Sequence, residues 1–251
     1  MKMKNTVVLT DLRTREMQDA AVFLAEQGYE VRTVPESVCL WKEAELREWS
    51  AEFAGELAGV IHPAPPAFLS PMLETTEEEY AKARNEGPMA AWCTAKVFGG
   101  IMRAQGSGSL IFLGSIHAEK PVGRGFLFSS GCGAVQMLSR EINQDYGPFG
   151  VRSFYIQRGP GEADPDLKSD LSPLYCGLEK RYPLRRLPKR GELNGLLAFL
   201  LSPAAAPLAG SDLRADGGMT MYYGERITEE QAEKLRRHTP GAEGGGIIGF
   251  K

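Results

Sequence analysis

Ser115, His117, Phe128 and Cys132 are the residues of this chain whose types and spacing come closest to a working site. Ser115 closes an apolar run, an aromatic follows thirteen positions on, and Cys132 stands four positions after that. Passing a proton to or from a hydroxyl at such a site needs a phenol, with a cation nearby to lower the phenol's pKa. Phe128 has no ionisable group and Cys132 carries no positive charge, so the frame is present without its acid–base pair. A nucleophilic alternative stays open, with His117 as base and Ser115 or Cys132 as the attacking group. On extended backbone, Ser115 and His117 would place their side chains on one face. A surface or hydrogen-bonded histidine is the competing role, and no acidic partner is evident to orient the ring.

A second group is Thr10-Asp11-Leu12-Arg13-Thr14-Arg15-Glu16-Met17, directly after the first apolar run. Thr10 and Asp11 are expected to cap the following helix, with the carboxylate at its positive end. Arg13 and Arg15 are either solvated at the helix start or available to a phosphate-bearing ligand such as coenzyme A.

The elements that must position these residues alternate between strand and helix patterns, as a doubly wound parallel sheet requires. Thr6–Thr10 is a strand covered on both faces. Glu16–Gln27 is a helix with Met17, Ala20, Ala21 and Leu24 at helical spacing and Gly28 at its C-terminal end. Strands are expected at Tyr29–Val34, Leu57–Ile61, Ser109–Ser115, Val151–Ile156 and Leu213–Asp216. Helices are expected at about Lys42–Phe53, Glu77–Gln105, from about Ser130 to Tyr146, and at Leu193–Leu201. The interval Pro35–Glu56 has room for one helix and a vestigial strand near Val38–Trp41.

The chain of 251 residues, 43% hydrophobic, can bury one large core. A formal net charge of −3 without a dense Lys/Arg face argues against nucleic acid. No stretch reaches the ~18–20 apolar residues of a membrane span. The four cysteines, Cys39, Cys93, Cys132 and Cys176, have no Cys-x-x-Cys spacing. Neither a metal site nor a disulfide framework is expected, and a reducing cytoplasm is the location implied.

The order of these features resembles the short-chain dehydrogenase/reductase family, over roughly Asn5 to Gly218. Gly59-Val60-Ile61-His62-Pro63-Ala64-Pro65 stands where the family has its Asn-Asn-Ala-Gly turn. Asn85 and Ser115 stand where it has its catalytic Asn and Ser, and Phe128 and Cys132 where it has the Tyr and Lys of Tyr-x-x-x-Lys. Pro160-Gly161 and Ala215-Asp216-Gly217-Gly218 match two later landmarks. The resemblance implies a Rossmann-like α/β fold, with helices on both faces of the sheet and a shortened segment between its second and fourth strands. It also implies that no catalytic residue survives beyond the vestigial positions Asn85, Ser115, Phe128 and Cys132.

The family's dinucleotide pattern, Thr-Gly-x-x-x-Gly-x-Gly, brings a pyrophosphate against backbone N–H groups at a helix N-terminus. Here Asp11, Arg15 and Met17 occupy the three glycine positions. His62, Pro63 and Pro65 replace residues of the second turn, and Pro165 replaces a Thr that holds the carboxamide. No NAD is therefore expected on this chain. A sister group, the halohydrin dehalogenases, also resembles it through loss of the dinucleotide site. That group keeps its Tyr and replaces the Lys with Arg, and this chain keeps neither.

The family assembles through two long helices and the last helix–strand pair. Tyr80, Met89, Trp92, Val97 and Ile101, with Val135, Leu138 and Ile142, are the candidate contacts, unless they face only the core. The expected partner is a homologous active subunit carrying NAD, in a hetero-tetramer, with an acyl-CoA substrate considered at the partner's site. Residues 219–251 form an extension in which Thr228-Glu229-Glu230-Gln231 matches a capping box. Its apolar end at Ile247, Ile248 and Phe250 is read as a frayed tail or as an arm reaching a neighbouring subunit. The alternatives are a cofactor-independent lyase or hydrolase using Ser115, His117 and Cys132, and a ligand sensor using the old pocket.

Overall fold

Six strands, all parallel, lie in the order β2-β1-β3-β4-β5-β6 in the computed structural model. The structure describes residues 5–53, 57–121, 123–162, 164, 177–221, 230–231 and 233–234. In chain order the regular elements are β1 (Thr6–Leu9), α1 (Arg15–Glu26), β2 (Glu30–Thr33), α2 (Glu43–Ser50) and β3 (Leu57–His62). Next come α3 (Glu77–Arg84), α4 (Ala90–Gln105), β4 (Gly108–Ser115), α5 (Phe126–Tyr146), β5 (Val151–Arg158), α6 (Asn194–Leu201) and β6 (Asp212–Ala215).

Successive strand side chains point to opposite faces, and here each face has its own core. Val8, Val60, Leu110 and Phe112 pack with Leu46 of α2, Phe98 of α4 and Val135 of α5. Val7, Leu9, Ile61, Ile111 and Leu113 pack with Met17 and Leu24 of α1 and Leu197 and Leu200 of α6. Burial on both faces is why these strands read as unbroken apolar runs. The Rossmann-like α/β architecture expected from the sequence is the one observed.

Several local expectations need correction. Thr14, not Thr10 or Asp11, is the N-cap of α1, its hydroxyl accepting from the Met17 N–H at 3.3 Å. Val38–Trp41 form turns rather than a strand, and Val38 and Leu40 pack on the core beside Trp49. With that strand missing, the four-residue β2 is at the edge of the sheet and its side chains are largely half-exposed. The expected single helix Glu77–Gln105 is interrupted by a π-helical turn at Asn85–Met89. Pro88 lacks the N–H that would bond the Arg84 carbonyl, and the wider turn accommodates its ring. Helix α5 starts at Phe126 rather than near Ser130, with the Ser129 N–H donating to the Gly125 carbonyl at 2.8 Å.

Residues Met1–Thr220 and Met221–Lys251 form two compact units. In the second, Glu230 and Lys234 are helical and ion-paired one turn apart at 2.8 Å. Thr228, Glu229 and the terminal Gly241–Lys251 lie outside the described residues. No helix among the described residues is long and apolar enough to cross a membrane.

Candidate functional site

A cleft of about 480 Å³ opens at the carboxyl ends of the strands, where chain order reverses between β1 and β3. Open parallel sheets place ligands at such a switch point. The residues after β1, β3, β4 and β5 line it, from Asp11 through His62 and Ser115 to Arg158. One wall is the run His62-Pro63-Ala64-Pro65-Pro66-Ala67. Pro65 is held close to Gly87 of the π-helical turn, where an added Cβ would lie 3.2 Å from its ring. The interrupted helix thus sets the position of the proline wall.

On the β4 side, Ser115 is buried and its hydroxyl accepts from the His117 backbone N–H at 3.2 Å. Ile116–Ala118 form a 3-10 turn, so Ser115 and His117 do not share the extended face expected for a base and its nucleophile. The His117 ring is 2.7 Å from the Lys120 carbonyl through Nδ1 and lies edge-on to Phe128, with ring centroids 6.0 Å apart. Phe128 is half-buried and lines the cleft, so it has both the packing role expected and a face open to a ligand.

Cys132 is fully buried beneath this surface. Burial raises its thiol to about 12, against weaker help from the Tyr155 phenol and the Ser115 backbone. Tyr155 comes from β5, and its hydroxyl accepts from the Ser115 N–H at 3.2 Å. Burial foremost, and the neighbouring Cys132, push the phenol's pKa well above its ordinary value. Its ring fills the space under Gly114, where an added Cβ would lie 2.0 Å from the ring. Cys132 and a tyrosine from the adjacent strand thus fill the space beneath Ser115 together.

The β1 side is built from ion pairs. Asp11 accepts from the Arg13 backbone N–H and from its guanidinium, both at 2.7 Å. Arg158, at the end of β5, contacts Glu16 at 3.1 Å and also Asp164, whose other oxygen accepts from the Gly161 N–H at 2.8 Å. Burial opposes the Arg158 charge, but the two carboxylates outweigh it and raise its pKa further. Burial raises the Glu16 carboxyl, and Arg158 works against that shift. Glu16 is in the first turn of α1, where a helix favours negative charge.

His62 is 4% exposed, and its Nδ1 lies 2.9 Å from the Thr10 hydroxyl and 3.3 Å from the Thr94 hydroxyl. Desolvation lowers its pKa to about 4, so it stands neutral at pH 7. Among the described residues its Nε2 makes no hydrogen bond.

The sequence-derived positions separate accordingly. Asp11, His62, Pro63, Pro65, Ser115 and Phe128 converge on the cleft, whereas Met17 is in the core and Arg15 is exposed at the helix start. Asn85 turns to Arg84, whose guanidinium reaches its side-chain oxygen at 3.2 Å, and the cleft-lining residue of that turn is Glu86. Pro165 lies outside the described residues. Sequence reading missed Glu16, Glu86, Arg158 and Asp164 in the cleft, and Tyr155 beneath it. The only signals were a charge ending an otherwise apolar strand and an acid in a first helical turn.

A family model described as enoyl-(acyl carrier protein) reductase matches residues 2–220. A tropinone reductase homolog of Arabidopsis thaliana is 28% identical over 201 residues, 78% of this chain and 76% of the relative. An oxidoreductase of the short-chain dehydrogenase/reductase family from Burkholderia thailandensis superposes with a TM-score of 0.79 at 19% identity, over 93% of this chain and 98% of that one. A halohydrin dehalogenase bound to ethyl (2S)-oxiran-2-ylacetate superposes with a TM-score of 0.72 at 18% identity, over 88% of this chain and 98% of that one. The two superpositions establish likeness of fold. With the family match over most of the chain and the parallel sheet open at its switch point, the conclusion is that this chain belongs to the short-chain dehydrogenase/reductase family.

Proposed function

We propose that this chain is a non-catalytic subunit that pairs with a homologous, active, NAD-carrying short-chain dehydrogenase. The observation that carries this reading is the surroundings of Ser115. Its neighbours are the Phe128 ring, a thiol raised to about 12 and a phenol held far above its ordinary pKa. None of these can exchange a proton with an alcohol near neutral pH.

The β1–α1 turn supports the same reading. A pyrophosphate there would meet Asp11 and Glu16, two carboxylates already engaged with the chain's own guanidiniums. Like charges repel, and Asp11, Arg15 and Met17 carry side chains at the positions where the family's glycines let a backbone approach. On this reading NAD belongs to the partner alone.

Pairing finds support in apolar side chains left on the outside of α3, the π-helical turn, α4 and α5. Tyr80, Met89, Trp92 and Met137 are all more than a third exposed. Val97, Val135 and Ile142, also candidate contacts, are instead core residues. The best-fitting example of such a pair is 2-[hydroxy(phenyl)methyl]succinyl-CoA dehydrogenase of anaerobic toluene degradation, with its acyl-CoA substrate at the active partner's site. The residues 219–251 would serve as an inter-subunit arm.

A cofactor-independent hydrolase or lyase is the weaker reading. It needs the His117 ring to serve Ser115 or Cys132, whereas only the His117 backbone N–H reaches Ser115 and the ring is turned to the Lys120 carbonyl through Nδ1 and to Phe128.

The test is the native mass of the chain isolated gently from its own cells. A mixed complex with a second chain of similar size, carrying Tyr-x-x-x-Lys, is expected. A homo-oligomer or monomer overturns the reading.

A further inference from the structure

The cleft that no longer suits a dinucleotide is still a cavity of ligand size, and its lining specifies what it would accept. Pockets for small molecules are mostly apolar, with a few convergent polar groups that fix orientation. Here Pro63, Pro65, Pro66, Leu69 and Phe128 provide the apolar surface. Four carboxylates, Asp11, Glu16, Glu86 and Asp164, face two guanidiniums, Arg13 and Arg158. Both guanidiniums are already paired, Arg13 with Asp11 and Arg158 with Glu16 and Asp164. Glu86 has no hydrogen bond and no ion pair within 4 Å among the described residues. An anion entering this cleft finds both guanidiniums already paired, whereas a cation finds Glu86, a carboxylate with no direct partner that feels only the field of Arg13.

A second, independent feature points into the same space. His62 is almost wholly buried, yet it lines the cleft and its Nε2 is without a partner among the described residues. The wall takes up only Nδ1, through the Thr10 and Thr94 hydroxyls. Nε2 keeps access to solvent, so in the cleft a water or a ligand group can complete its bonding.

We infer that this cleft binds a protonated amine on a compact apolar body, its ammonium facing Glu86 and its ring against Phe128 and the proline wall. His62 Nε2 anchors a hydrogen-bonding group on the same molecule. An ammonium near an aromatic face gains further attraction from the ring quadrupole. The inference rests on the reading that a dinucleotide does not occupy the cleft, and it does not depend on whether the chain pairs with an active subunit.

The test uses the full chain and four probes: 2-phenylethylamine, 2-phenylethanol, 3-phenylpropanoate and NADH, followed by calorimetry or ligand-observed NMR. The amine is expected to bind about ten-fold more tightly than the alcohol, and the carboxylate not measurably. Glu86→Gln should remove the amine's advantage over the alcohol while leaving the alcohol's affinity unchanged. His62→Gln should weaken the alcohol. Equal or tighter binding of 3-phenylpropanoate, an amine preference that survives Glu86→Gln, or no binding by any of the first three probes overturns the proposal. Tight NADH binding overturns the separate reading that the dinucleotide site is lost. The two failures are therefore told apart in one series.

Discussion

On the reading proposed above, the β1–α1 side of the cleft and the β4–α5 side depart from a working oxidoreductase by opposite physical routes. On the first, charge has been added: Asp11, Arg13, Glu16, Arg158 and Asp164 satisfy one another where a pyrophosphate would need bare backbone N–H groups. On the second, charge has been withdrawn: Phe128, Cys132 and Tyr155 form an apolar and weakly acidic patch around Ser115. Neither change touches the strands beneath, whose side chains stay paired in their two cores. The sheet carries the stability and the loops carry the chemistry, so the chemistry can be lost without loss of the fold.

The sharpest way to break this comparison is to return charge to the side that lost it. Cys132→Lys places an ammonium in a fully buried position beside the Tyr155 phenol, with no carboxylate contact there. We expect about 3–5 kcal/mol of lost stability in denaturant unfolding, the scale of an uncompensated buried charge. Phe128→Tyr, at a half-buried site, should be nearly neutral. The double variant should show no NAD-dependent turnover, because the β1 side is unchanged. Turnover by that variant would falsify the account of the β1 side.

His62 gives the next largest effect, through pH. Its pKa falls from 6.5 to about 4 on folding, a difference worth about 3 kcal/mol. A depressed histidine pKa means the unfolded state binds the proton more readily. The resulting stability is present above pH 6.5 and is lost as pH falls from there towards about 4. His62→Gln should flatten the profile in that window. An unchanged profile would mean that His62 is hydrated in solution.

Arg158→Met is expected to cost less than the ~3–5 kcal/mol of breaking a fully buried pair, because Glu16 and Asp164 lose the cation between them at a site where Arg158 is 21% exposed. The sign of its pH dependence opposes that of His62. Glu16 has a raised carboxyl pKa in the folded protein, so protonation favours the fold. The deficit of the variant should shrink as pH falls through the range just above an ordinary carboxyl pKa. A deficit that grows on acidification would show that the triad is not where Glu16 titrates.

Much of this architecture was legible in the sequence for a specific reason. Runs such as Thr6–Leu9 and Gly108–Ser115 are buried on both faces, and hydrophobic run length reports that directly. The shortening between β2 and β3 was legible as too few residues, but the replacement of the expected strand at Val38–Trp41 by turns was not. The cleft was legible only in part. His62, Phe128 and Ser115 could be placed from their positions relative to strands, but the ion triad joins Glu16 to Arg158 and Asp164, far from it in the chain. Such pairings depend on which loops meet in space, and local patterns carry no signal for them. Asn85 is in a π-helical turn with Pro88, where Glu86 lines the cleft and Asn85 faces Arg84, and a sequence read as one regular helix carries no signal for that.

The smallest effect separates two roles that the sequence assigns to neighbouring residues. Asp11 has the composition of a helix cap, yet its carboxylate, 11% exposed, is turned to Arg13, whose side chain is 63% exposed and can be replaced there by water. Thr14 holds the Met17 N–H instead. Loss of an N-cap hydroxyl costs about 1 kcal/mol, whereas exposed ion pairs contribute little. Thr14→Ala should therefore lower the unfolding midpoint more than Asp11→Ala. The Asp11 variant should nonetheless change the cleft, because removing that carboxylate frees Arg13 and gives a phosphate-bearing ligand an unpaired cation in the lining itself. If Asp11→Ala proves the more destabilising and gains no affinity for pyrophosphate, the added charge is there to hold the helix, and the contrast between the two sides of the cleft reduces to the loss at Phe128 and Cys132.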